Sequence, residues 1–297
     1  MSASGTVIAS IGAGVAQDGA GNGNTASTST DNTVTYNAPD TTAPNTTIDT
    51  APPALTNNND PSFTFSSNEP GSTFECKLGS GPWEACDSGA KSYTDVPDGE
   101  HTFYVRATDA AGNTDATPDS YTWTIDTVAP TVTINQASGQ VDPTNAGPIH
   151  FTAVFSEPVT GLDGFFDIDQ SGTALPSGYP DVTEIGPMDG TTYDVVVLQP
   201  NSDGTVIVEV RDGSVSDAAG NVSTPSTSTD NEVIYDTTAP TVTINQASGQ
   251  SDPTSGNPIN FTVVFSEAVS GFATGDVTLG GTAGATTAAV SGGPTTY

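Results

Sequence analysis

Apolar residues recur at every second position along much of this chain, and no window holds the 3.6-residue spacing of an amphipathic helix. Phe63/Phe65, Phe74/Cys76/Leu78, Phe103/Val105/Ala107 and Tyr121/Trp123/Ile125 alternate with polar neighbours. So do Ile149/Phe151/Ala153/Phe155, Tyr193/Val195/Val197, Val206/Val208/Val210 and Val233/Tyr235. Successive side chains of a strand point to opposite faces, so each series predicts a strand with one face in a core. Stretches rich in Gly, Asn, Asp and Pro separate the series and supply turns. The expectation is an all-β chain of short strands with no helix longer than a turn or two.

The strands fall into repeated blocks. Asp236-Thr-Thr-Ala-Pro240 recurs as Asp126-Thr-Val-Ala-Pro130 and as Asp40-Thr-Thr-Ala-Pro44. The intervals of 110 and 86 residues each suit one β-sandwich. Residues 129–161 and 239–271 are identical at 25 of 33 positions. Four segments follow: 1–39, two strands that parallel the end of the third; 40–126, a complete module of a different type; 127–236, a complete module; and 237–297, the front part of a further copy. Self-similarity at such a period marks a tandem array in which each unit touches its neighbours. The two terminal pieces are expected to be incomplete modules, the chain being a window on a longer array.

Charge sharpens the picture. The chain has 35 acidic and 4 basic residues, a formal charge of −31. Nucleic acid is excluded as a natural partner, because phosphate binding needs clustered Lys and Arg. Docking on anionic membranes is disfavoured on the same ground. No stretch approaches the ~20 apolar residues of a membrane span, and no basic, apolar leader precedes residue 10. Such a surface attracts cations; solubility through like charge is the plainer use of it.

Little catalytic chemistry assembles. His101 and His150 fall in different modules, so neither a Ser-His-Asp set nor a histidine metal cluster is expected, and we read the chain as non-enzymatic. Cys76 and Cys86 are the only cysteines. A hairpin centred on Gly81 would set them directly opposite, which predicts a disulfide; two buried thiols are the alternative.

The motifs Asp-Thr-Thr-Ala-Pro-Thr-Val-Thr-Ile at 236–244, Phe-Ser-Glu-Ala-Val-Ser-Gly-Phe at 265–272 and Asp-Ala-Ala-Gly-Asn at 217–221 together resemble the bacterial Ig-like repeats of large surface adhesins. The module at 40–126, with Phe-Thr-Phe-Ser-Ser-Asn-Glu at 63–69, resembles an Ig-like or fibronectin-like companion. The resemblance implies tandem Ig-like β-sandwiches in an extended array on an extracellular or cell-surface protein. It implies a stalk that projects a binding domain, with neighbouring modules as partners and the external ligand unspecified. Two rivals are modules that themselves bind carbohydrate or protein, and an accessory array on a secreted hydrolase. A binding role calls for exposed loop aromatics, for which Trp83 and Tyr179 are the candidates.

In an Ig-type sandwich the incoming linker, the B–C loop and the F–G loop share one pole. The third module would gather Asp126, Glu157, Asp217 and Asn221 there, and the second would gather Asp40, Glu69, Asp109 and Asn113. The fourth supplies Asp236 and Glu267. From each preceding module, Asp142 and Asp203 are expected to approach Asp236, and Asp60 and Asp98 to approach Asp126. Two carboxylates about 4 Å apart repel by roughly 4 kcal/mol at an effective dielectric near 20. A calcium ion, which takes six to eight oxygen ligands, would remove that cost. Plain turn chemistry, with Asp accepting from loop amides and Gly at positive φ, is the other account of the same residues.

Overall fold

The computed structural model describes residues 1, 3–174 and 178–297. Strands account for nearly all of its regular structure, with one 3₁₀ turn at Thr274–Asp276. No helix among the described residues is long and apolar enough to cross a membrane. The chain divides into two compact units. One comprises Met1–Thr131 with Glu157–Gly161 and Val215–Thr224; the other comprises Val132–Ser156, Leu162–Ser214 and Pro225–Tyr297.

The first unit begins with a hairpin of β1 (Gly5–Ile8) and β2 (Thr33–Tyr36), whose side chains are almost all exposed. Two sheets follow. The smaller has the order β3-β5-β8, from Thr46–Thr50, Ser62–Ser67 and Ala90–Ser92. The larger also takes in β4 (Leu55–Thr56), β6 (Thr73–Leu78), β7 (Glu84–Ala85), β9 (Gly99–Thr108) and β10 (Asp119–Ile125), in the order β4-β10-β9-β6-β7. The alternation decides which faces meet. Phe63 and Phe65 from one sheet pack with Cys76, Phe103, Val105, Trp123 and Ile125 from the other. The rings of Phe63 and Phe103 stack at 4.1 Å. Aromatic bulk of this kind lets a small sandwich fill its core with few residues.

Cys76 and Cys86 form a disulfide with a Cα separation of 6.0 Å. The hairpin register differs from the sequence expectation, however. Cys76 faces Glu84, and the Cys86 N–H donates to Phe74 O (2.9 Å), so the bridge closes diagonally rather than between facing residues. The hairpin is centred on Ser80, one residue earlier than Gly81, with Gly81 N donating to Leu78 O (3.0 Å) inside the turn.

The second unit holds β11 (Val132–Gln136), β12 (Ile149–Phe155), β14 (Asp181–Glu184) and β15 (Thr192–Val197) in the order β11-β12-β15-β14. Its other sheet is β13 (Ile168–Gly172), β16 (Gly204–Val210) and β17 (Glu232–Tyr235) in the order β13-β16-β17. Aliphatic residues dominate the space between: Ile134, Ile149, Val195, Val197, Val206, Val208 and Val233 are buried with Phe151. A last pair, β18 (Val242–Gln246) and β19 (Phe261–Phe265), repeats β11 and β12 in sequence and register. Burial does not repeat. Ile134 is 0% exposed and Ile244 58%, though both sit in the sequence Val-Thr-Ile-Asn-Gln. The strand pattern is local, whereas the core requires a second sheet over it.

That contrast is measurable. Ile134→Ala is expected to cost roughly 2–5 kcal/mol through a buried cavity and to lower a calorimetric unfolding transition. Ile244→Ala, in the same pentapeptide, should leave every transition within about 0.5 kcal/mol of the parent.

Candidate metal centres at the linkers

Each linker opens with an aspartate that starts a turn. Asp40 Oδ1 accepts from Thr42 N (3.0 Å), Asp126 Oδ1 from Val128 N (3.1 Å), and Asp236 Oδ1 from Thr238 N (2.9 Å). The short carboxylate mimics a backbone turn, which spends one oxygen and leaves the other.

The Asp-Ala-Ala-Gly-Asn loop closes alike in both complete modules. Asp109 Oδ1 accepts from Ala111 N (2.9 Å) and Asn113 N (2.8 Å); Asp217 Oδ1 accepts from Gly220 N (2.7 Å) and Asn221 N (2.8 Å). Gly112 and Gly220 make the reversal at φ of 92° and 95°, a region costly to any residue with a Cβ. The asparagine then does two things. Asn113 Nδ2 donates to Asp109 Oδ2 (2.8 Å) and to the Asp40 carbonyl (3.2 Å). Asn221 Nδ2 donates to Asp217 Oδ2 (2.8 Å) and to the Asp126 carbonyl (2.8 Å). Both asparagines, expected at the cation pole, strap the linker to the loop through their amide nitrogens. Asp18 and Asn22 close the same loop near the N-terminus.

The strap brings three acids together, twice. Asp40, Glu69 and Asp109 each offer an oxygen within 4.8 Å of the others, and so do Asp126, Glu157 and Asp217. The repeat pattern divides the second trio between modules, with Asp126 at the end of one and Glu157 and Asp217 in the next, yet all three fall in one compact unit. The backbone supports this: Asp126 N donates to Thr56 O (3.0 Å), extending the parallel pairing of β10 with β4, and Thr160 N donates to Ser216 O (3.0 Å).

The remaining predicted acids go elsewhere. Asp98 Oδ1 accepts from the N–H (3.1 Å) and hydroxyl (2.9 Å) of Thr127, and Asp203 Oδ1 accepts from the same groups of Thr237 (2.8 and 2.7 Å). Asp203 Oδ2 also accepts from the Thr238 hydroxyl. Both aspartates therefore hold the linker from the preceding side by capping its threonines, and neither belongs to a carboxylate trio. Asp142 accepts from Ile234 N (2.8 Å) and Gln136 Nε2 (3.2 Å), and Asp60 from Asp95 N (3.0 Å). Asp236 and Glu267 join no such trio among the described residues.

The electrostatics separate the members of each trio. At Glu157, burial first and then the charges of Asp217 and Asp126 raise the carboxyl above its ordinary value. Glu69 is raised by burial, Asp40 and Asp109 in the same order of importance. Asp109 lies low, chiefly through the Asn113 side chain, with burial opposing. At Asp217 burial works upward, but the bonds from Asn221, Gly220 and Ala219 outweigh it and the carboxyl ends low. Each trio thus pairs a firmly ionised aspartate with a glutamate that its neighbours disfavour as an anion. An oxygen-only donor set of this charge suits a hard divalent cation. The histidines contribute nothing here: His101 Nε2 lies 2.7 Å from Pro97 O, and His150 Nδ1 lies 3.0 Å from Asp194.

Paired sheets of mainly antiparallel strands packed face to face, one pair around an aromatic, disulfide-bonded core and the next around an aliphatic one, define tandem immunoglobulin-like sandwiches. Residues 33–127 match the family model of a bacterial Ig-like domain. A solved structure described as a tetra-tandem repeat in the extending region of a large adhesion protein is similar over 89% of this chain, at 18% identity and a TM-score of 0.31. This chain spans 64% of that one. No curated protein sequence matches.

The opposed shifts give a signed expectation for the metal-free chain. A glutamate raised in the folded state weakens folding as pH climbs through that raised value, so Glu157→Gln should raise the melting temperature at pH 7 and change it little at pH 4. A depressed aspartate contributes stability above its ordinary value and loses it as pH falls below. Asp217→Ala, which strands the loop donors, should cost about 1–3 kcal/mol at pH 7 and less at pH 3.

Proposed function

We propose that this chain is a length of extracellular stalk whose linkers are tied by calcium, and that its role is mechanical rather than catalytic. One observation carries the reading. The same linker aspartate, B–C glutamate and F–G aspartate converge in two modules whose cores are otherwise unlike, one aromatic and disulfide-bonded, the other aliphatic. A turn needs the F–G aspartate and the glycine; it does not need a glutamate placed against two other carboxylates. The disulfide fits an oxidising compartment outside the cytosol. The Ala-Pro that follows each linker aspartate restricts the backbone between modules, and an ion held by groups on both sides of it would restrict it further.

In this reading Asp126, Glu157 and Asp217 hold one ion and Asp40, Glu69 and Asp109 another, while Asn221 and Asn113 keep the linker in place before metal arrives. The ion supplies charge neutralisation and geometry, nothing more. A cation that binds only the folded arrangement stabilises it by about 2.7 kcal/mol at a hundredfold excess over its dissociation constant. Calcium at millimolar concentration should therefore raise the melting temperature and increase the maximum dimension in small-angle scattering, and a chelator should reverse both. Asp126→Ala with Glu157→Ala should remove most of the dimensional change without unfolding either sandwich. Unchanged melting and unchanged dimensions in calcium would leave the acids as turn residues and the stalk articulated.

A further inference from the structure

The third repeat carries three exposed aromatic rings in mutual contact. Phe165, Phe166 and Tyr179 are 47%, 67% and 57% exposed, whereas Phe63, Phe65, Phe103, Phe151 and Phe155 are buried. Ring centroids lie 4.5 Å apart for Phe165–Phe166 and 4.2 Å for Phe165–Tyr179.

The turn that presents these rings is fixed from several sides. Asp163 Oδ1 accepts from Phe165 N (2.8 Å) and Phe166 N (3.3 Å), and Asp163 N donates to Asp167 Oδ2 (2.7 Å). Arg211 donates to the Phe166 carbonyl and, through Nε, to Asp169 (2.8 Å). Gln170 Nε2 donates to the Gly178 carbonyl (3.0 Å), beside Tyr179. Gly164 is pressed so close to Pro180 that a Cβ there would clash with the Pro180 carbonyl. Exposed apolar rings are thus held rigid, at the cost of a position that admits glycine alone.

The fold does not require them. In the fourth repeat the counterpart turn reads Ala273-Thr-Gly-Asp276 and closes with the equivalent bond, Ala273 N to Asp276 Oδ2 (2.8 Å). No aromatic residue occurs between Asp276 and Thr296. An apolar patch that is preorganised, exposed and dispensable to the turn marks a contact surface.

We propose that Phe165, Phe166 and Tyr179 form a stacking platform for the pyranose rings of a neutral polysaccharide. Size selects this occupant. Three side chains of roughly 150–250 Å² each, about half exposed, offer on the order of 300 Å², far below the ~800 Å² per partner of a stable protein interface. A sugar ring presents a C–H face of matching size to the negative face of an aromatic ring. Charge narrows the choice further. The turn that carries the rings holds Asp163, Asp167 and Asp169 against Arg211, a local excess of negative charge that repels an anionic glycan. Trp83, the other loop aromatic, is not a free platform: Lys77 Nζ and Arg106 Cζ lie 5.0 and 4.3 Å from its ring centre.

The test is affinity electrophoresis of the whole chain through gels containing soluble β-glucan, galactomannan or dextran, with alginate as the anionic comparison. Retardation is expected in at least one neutral gel. Phe166→Ala with Tyr179→Ala should weaken it by roughly tenfold or more, with an unchanged melting temperature because both rings are exposed. Trp83→Ala should leave it intact. The proposal is overturned by no retardation in any neutral gel, by retardation that survives loss of the rings, or by stronger retardation in alginate. It is equally overturned if the ring substitutions abolish self-association in sedimentation velocity, which would assign the patch to a second copy.

Discussion

Three carboxylates held within 4.8 Å of one another are the constraint around which the linkers opening at Asp40 and Asp126 are built. Left alone they would separate, since every one of them gains by moving into water. They are kept together by neutral groups: an asparagine amide that binds both its loop aspartate and the linker carbonyl, and a chain of loop amides that fixes the aspartate. The arrangement is stressed in one member, the glutamate, and relaxed in another, the loop aspartate. In the proposed calcium reading, those bonds position the donors independently of any ion, and a bound cation would remove the unfavourable charge.

The linker is secured from both sides. The loop asparagine and the trio act from the following module, while Asp98 and Asp203 take the linker threonines from the preceding one. Asp126 and Asp236 each add a backbone bond, to Thr56 O and to Thr144 O. Under the proposed stalk role such a device matters because the stability of each small sandwich does not constrain the linker that follows it.

How much of this was legible beforehand follows from how local each feature is. Strand alternation depends on neighbours two residues away, and every apolar series in the two closed sandwiches became a strand with that face inward. The trios were legible too, because repeated motifs and sandwich topology together place loops at one end. The roles of individual polar atoms were not. Whether Asn221 offers oxygen or nitrogen, and whether Asp203 faces Asp236 or its threonines, depends on tertiary neighbours that no spacing encodes. The diagonal disulfide turns on a one-residue shift of the hairpin's centre. The exposed rings of Phe165 and Phe166 sit beside the close approach of Gly164 to Pro180, a contact between residues distant in the chain that no spacing encodes.

The central claim is that each trio is the seat of one ion. Equilibrium dialysis against calcium at physiological ionic strength counts ions directly and does not depend on what they do to shape or melting. The account predicts two bound calcium ions per chain, falling to one in the Asp126→Ala, Glu157→Ala variant. A chain that binds none, or a variant that still binds two, would contradict it.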